Sequence, residues 1–327
     1  MDRGLIIQPE DGELAPFGNI QPQIQTAPII VDGHVDLPYH MEKNNYRNPF
    51  IRLEHGPWTI AKAKQAGVKI WGTALYCEDS FNGPLSFRHF NELLGFTQAA
   101  LEDITIIRKE RDLEEFGTFL VLENADCLAE RPGYAGELPG LGIIIVGLTH
   151  AGKNRLADGN SVRYSDGITR EGREAVKALE TRGVLIDVAH LHERCFWELM
   201  KSHEGPVVSS HTGIREICDL PRNLTVSQAK EIIERRGIIG ITVNPEMLCA
   251  SGHASLNDVY VHIDTLVQRF GPWGVGIGSD FCGFDVPAEG VEDVGGLVGI
   301  SETLMSHGYG EEAVKAIMGG NWIIILK

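Results

Sequence analysis

Val184-Leu-Ile-Asp-Val-Ala-His190 and Pro206-Val-Val-Ser-Ser-His211 are two short apolar, β-branched runs, each closing on a histidine. Runs of this kind read as buried strands. Residues 193–202 between them have helical character, so the stretch forms a strand–helix–strand unit with parallel strands. Outward in both directions the pattern repeats. Candidate strands fall at residues 29–36, 68–77, 118–124, 142–149, 184–189, 206–210, 238–244 and 275–280. Helical segments fall at 59–66, 87–108, 169–182, 193–202, 227–236 and 255–269, with Thr169 placed as an N-cap. Eight alternating units predict an α/β fold, a (β/α)8 TIM barrel, in preference to an open doubly wound sheet. Between 149 and 169 the chain is mostly Gly, Asn, Asp and Ser, a long loop of the kind that usually carries function. No low-complexity linker divides the chain. Residues 28–327 are therefore expected to form a single barrel domain, and the polar residues 1–27 an N-terminal arm or added hairpin.

The strand ends carry the chemistry. Asp32-Gly-His-Val-Asp36 closes the first strand, and alternation of strand side chains turns His34 and Asp36 the same way. Glu123 ends the third strand, His150 the fourth, His190 the fifth, His211 the sixth and Asp280 the eighth. H-x-D alone is a weak signal, and a lone histidine after a strand is more often a helix-start residue. Six of eight strands delivering an ionisable group to one rim is a different matter, because barrel active sites lie at that rim. Imidazoles and carboxylates converging there compensate one another around cations. Three histidines, one glutamate and two aspartates suffice for two divalent ions with a bridging carboxylate. Arg222, after Pro221, offers a planar fork suited to a carboxylate. Asp187 has the opposite parity to His190 and reads as facing the helix layer.

Composition narrows the class. Forty-five acidic against 29 basic side chains give a formal net charge of −16, which disfavours nucleic acid and anionic membranes as partners. No apolar stretch is long enough to span a bilayer, and Met1 to Pro28 lacks the basic and apolar regions of a signal peptide. Six cysteines without paired spacing read as free thiols of a reducing compartment, so a cytoplasmic location is expected. No G-x-G-x-x-G opens a helix after a strand and no P-loop is present, which removes nucleotide chemistry.

At these residues the chain resembles the membrane (renal) dipeptidase family, the M19 metallopeptidases among the metal-dependent amidohydrolase-like barrels. The matching stretches are Asp32-Gly-His-Val-Asp-Leu-Pro38, Leu148-Thr-His150 with Ala157-Asp158, Leu185-Ile-Asp-Val-Ala-His190, Pro206-Val-Val-Ser-Ser-His211, Pro221-Arg-Asn223, Gly276-Ile-Gly-Ser-Asp-Phe281 and Gly319-Gly-Asn321. The resemblance implies that His34 and Asp36 bind one Zn²⁺, His190 and His211 a second, and that Glu123 bridges. It implies Asp280 as the catalytic group near the bridging water, and His150 and Arg222 as substrate contacts. The implied substrates are dipeptides, often with a D-residue at the C-terminal position, cleaved by a hydroxide shared between the ions. The alternative is another binuclear amidohydrolase acting on N-acyl amino acids or cyclic amides; a homodimer is left open. A relative that had lost turnover would lack a ligand, and none is missing. Three departures, Val35 for Asn, Asn124 for a small residue and Cys282 for Asp, are expected to alter the pocket.

Overall fold

The computed structural model describes residues 28–327, so the arm or hairpin expected at 1–27 lies outside the described residues. Among the described residues nine parallel strands are present: β1 (Ile30–Val35), β2 (Val68–Tyr76), β3 (Thr105–Ile106), β4 (Gly117–Glu123), β5 (Ile143–Gly147), β6 (Leu185–Asp187), β7 (Val207–Thr212), β8 (Ile238–Ile241) and β9 (Val275–Ile277). Eight of them close into the expected TIM barrel, because β1 pairs with both β2 and β9 while β2 pairs with β4. The ninth, β3, is a two-residue addition beside the start of β4.

Both faces of these strands are covered, which is why they read as continuous apolar runs. In β4, Phe119 and Val121 join an inner cluster with Val31, Ile145, Val208 and Ile238. Leu120 and Leu122 face the surrounding helices. Burying each such side chain contributes about 1.5–3 kcal/mol. The inner cluster also holds Trp322, from the short helix Asn321–Ile325, with its indole N–H donating to Ile277 O at 2.8 Å. A Cβ on Gly33 would stand 2.1 Å from that ring and one on Gly276 2.7 Å, so only glycine fits at either wall position.

The helices follow their end signals. Thr169 Oγ1 accepts from Gly172 N at 2.9 Å and starts the helix Arg170–Glu180. A capping box of Thr225 and Gln228 starts the helix Val226–Glu234. The helix expected at 87–108 is shorter: it runs Ser86–Ala100, and Asp103 then takes a left-handed φ of 68° before the chain turns into β3. The C-terminal helices Leu297–Ser306, Glu311–Lys315 and Asn321–Ile325 were not anticipated. Residues 149–169 are irregular, as expected. No helix among the described residues is long and apolar enough to cross a membrane.

Candidate active site

Two strand irregularities shape the rim. On β1, Asp32 pairs with Trp71 but Val35 with Thr73, so three residue steps face two. On β7, Ser209 pairs with Ile239 but Thr212 with Ile241, the same mismatch. An extra residue of this sort re-aims side chains, and the residues inside the two bulges include His34 and His211. Simple alternation, the basis for grouping His34 with Asp36, is therefore not what aims them; the bulge is.

The five candidate ligands converge. His34 Nε2 lies 3.5 Å from Asp36 Oδ2 and 3.7 Å from Glu123 Oε2. His190 Nε2 lies 3.0 Å from Glu123 Oε1 and 3.2 Å from His211 Nε2. Glu123 thus belongs to two ligand groups at once, one with His34 and Asp36 and one with His190 and His211. Asp280 forms a third group with His34 and His211, its Oδ1 standing 3.9 Å from His211 Nε2. His34 Nε2 and Asp36 Oδ1 are buried with no hydrogen-bond partner. Orphaned polar atoms at such depth are costly, and a cation would satisfy both. The donor set, imidazoles with carboxylates, fits zinc.

Packed this closely, the groups shift one another's ionisation. Burial favours a neutral Glu123, but the charge of His34 and the bond from His190 outweigh it and hold the carboxyl well below its usual range. Burial likewise opposes a charge on His34, yet Asp36 and Glu123 beside it push its pKa up to about 10. Burial and the negative charge of Asp36 push Asp280 up to about 8. His190 falls to about 3 through burial and the nearby Arg222, and burial also lowers His211 well below its usual range, leaving both imidazoles in the neutral form that binds metal. His190, Asp280 and Asn124 all have left-handed φ, between 61° and 69°. Such strain costs roughly 1–3 kcal/mol per residue and clusters at functional sites.

A cavity of about 350 Å³ opens over the cluster, lined by His150, Arg222, Tyr39, Tyr76, Asn160 and Met247 among others. One Arg222 nitrogen is tied to His211 O at 2.9 Å, and the guanidinium makes no ion pair among the described residues. Asp280 is steadied by Asn244 Nδ2 at 2.9 Å. His150 Nδ1 lies 3.3 Å from Asp79 Oδ2, a residue sequence reasoning missed. Asp79 also accepts from Gly152 N at 2.9 Å, so it ties the loop after β2 to the loop after β5. Asn160 was missed too: the residue lines the cavity, and its side-chain oxygen is buried without a partner. No signal in the sequence marks either: Asp79 acts across loops distant along the chain, and Asn160 lies in the irregular stretch after β5.

One expectation is corrected. Asp187 does not face the helix layer. Its carboxylate accepts from Ala189 N and Ser210 N, and His34 is among the charges it feels, which places it under the site. None of the three departures is itself a wall residue of the cavity over the cluster. Val35 packs in the apolar layer beneath the helices. Cys282 lines a neighbouring cavity with Lys43 and Lys62. Asn124 is buried, donating to Cys77 O at 2.7 Å and Asn82 Oδ1 at 2.9 Å, and accepting from Asn154 Nδ2 at 2.8 Å.

Known proteins share this architecture. A metallopeptidase from Rhodobacter sphaeroides, solved with a phosphinate mimic of the dipeptide L-Ala-D-Ala, superposes with a TM-score of 0.81 at 21% identity, covering 92% of this chain and 99% of that one. Dipeptidase verJ of Clonostachys rogersoniana is 23% identical over 91% of this chain and 83% of its own length. An uncharacterized protein of the pqqA 5′ region in Klebsiella pneumoniae is 32% identical over 165 residues, 49% of this chain and 60% of that relative. The family model described as membrane dipeptidase, peptidase family M19, matches residues 20–327, and with that span the chain belongs to this family.

Proposed function

We propose that the protein is a zinc-dependent dipeptidase that hydrolyses the amide bond of free dipeptides, including those with a D-residue at the C-terminal position. The observation that carries the reading is a cation-ligand cluster and an unpaired guanidinium sharing one small cavity. The L-Ala-D-Ala mimic held by the Rhodobacter relative supports the choice of substrate and of stereochemistry.

His34 and Asp36 would hold one cation, His190 and His211 a second, and Glu123 both. Such a pair, when bound, lowers the pKa of water from 15.7 toward ~7 and polarises a carbonyl. Arg222 pairs with the terminal carboxylate of the substrate and so sets its length to two residues. His150, held through Nδ1 by Asp79, donates from its other nitrogen to the oxyanion that develops at the scissile carbonyl, worth roughly 10²–10³ in rate. Asp280, tethered by Asn244, would be ionised with cations held beside it, and then takes the proton of the attacking water and passes it to the leaving amine. The Tyr39, Tyr76 and Met247 side chains supply the apolar walls.

N-acyl amino acids carry the same carboxylate but no ammonium. The acidic Glu246 at the cavity wall favours a ligand with a free amine. Elemental analysis should find about two zinc ions per chain, and a panel with added Zn²⁺ should turn over Ala-Ala dipeptides but not N-acetyl-alanine. One ion or none, or equal rates on both substrates, removes the proposal. The six free cysteines support a reducing compartment, consistent with a cytoplasmic enzyme.

A further inference from the structure

The rings of His34 and His211 lie with centroids 3.8 Å apart, and between their inner nitrogens sits one hydroxyl. Ser210 Oγ is 3.2 Å from His34 Nδ1 and 2.9 Å from His211 Nδ1. The serine is fully buried, so no solvent competes for these bonds. Its backbone is fixed from several sides. Ser210 N donates to Asp187 Oδ1 at 3.0 Å, and that same oxygen accepts from Ala189 N at 2.9 Å. Gly278 and Gly240 allow the neighbouring strands to close on it: a Cβ at either would stand 1.7 Å or 2.2 Å from Ser210 O.

The proton count leaves one arrangement. An imidazole that gives Nε2 to a cation must carry its proton on Nδ1 and donate from there. A hydroxyl oxygen has two acceptor lone pairs, enough for both histidines. Were Ser210 instead to donate to one Nδ1, the proton of that ring would sit on Nε2 and block cation binding. The serine's own proton is left for the Asp187 carboxylate, which borders its side chain.

We propose that Ser210 is a positioning residue shared by two cation sites: its single hydroxyl fixes His34 for one ion and His211 for the other, so that the two sites gain or lose affinity together. This rests on the reading that His34 and His211 serve different ions. Removing a group that orients a metal ligand typically costs 10- to 100-fold in metal affinity. Ser209 provides a matched control. It is the adjacent residue on the same strand, equally buried, and its hydroxyl has no partner.

The test is zinc binding to the full chain, measured by competition with a chromophoric chelator and checked by thermal unfolding of the metal-free forms. Ser210→Ala should weaken both ions by 10- to 100-fold together, while Ser209→Ala binds as the wild type. If Ser210→Ala does not fold, Ser210→Cys replaces it, keeping the volume and offering only a weak acceptor; the same paired loss is expected. Wild-type affinity in the Ser210 variant, weakening of one ion alone, or an equal loss in Ser209→Ala overturns the proposal. Failure of the underlying reading looks different: the wild type itself would bind fewer than two ions, or His34→Ala and His211→Ala would lose the same one.

Discussion

Two sides of one cavity are built differently. The cation side stands on strands and strand ends: His34 and His211 are almost fully enclosed, 0% and 2% exposed, and aimed by bulges whose backbones are locked into the barrel. The substrate side stands on loops. His150 follows β5 and leans on Asp79, which itself belongs to the loop after β2 and is partly exposed. Arg222 sits in a turn after Pro221, held to the barrel through His211 O. The difference teaches that the candidate cation ligands are placed by closure of the sheet, while the proposed substrate contacts are placed by polar contacts between loops. Loops can vary without disturbing the chemistry.

Variants on the two sides should therefore fail in different ways. The largest effect is expected at the base. Asp280→Asn should lower kcat by about 10²–10⁴-fold with two zinc ions still bound; near-normal turnover, or loss of an ion, would take the proton-transfer role from it. On the loop side, Arg222→Ala should raise KM for free dipeptides by about 10- to 100-fold, the worth of a charge-assisted hydrogen bond, and leave C-terminal amides nearly unchanged. If both substrates suffer alike, the carboxylate clamp is wrong. A smaller change is expected from Asp79→Ala, about 3- to 10-fold in kcat through looser placement of His150, with metal content intact. Should zinc be lost from that variant, the separation of the two sides is not real.

The smallest effect concerns stability and tests only the cation side. Asp280 and His34 ordinarily ionise near 3.8 and 6.5 and in the fold hold their protons up to about 8 and about 10. Their stabilisation is full below the ordinary values and is lost as pH rises through the folded ones. His190, lowered to about 3, acts in the opposite sense only below 6.5. Chelator-treated protein should thus show a falling Tm between pH 6.5 and 8, and zinc-loaded protein a flatter profile. A rising Tm in the metal-free form would contradict the packing of these groups.

Much of the cation side was legible because its residues terminate apolar runs. His190 and His211 close two such runs, and Glu123 closes a third. The bulges were not legible, since nothing in Asp32-Gly-His-Val or Ser209-Ser-His-Thr announces an extra residue against the neighbouring strand. Asp187 was misread for the same reason: strand parity cannot be carried past the end of a three-residue strand. Asp79 and the Asn124 contacts stayed hidden because each joins segments far apart in sequence. The helix predicted to 108 overran because its apolar content continues past Ala100 into residues that pack as β3.

Trp322 has a consequence for how the chain matures. Its ring fills the space that glycine leaves at position 33, one residue before His34. The wall beside His34 is thus completed by a side chain from a segment far along the sequence. A contact between positions so far apart in sequence is slow to form, so the wall behind His34 is expected to be set late in folding.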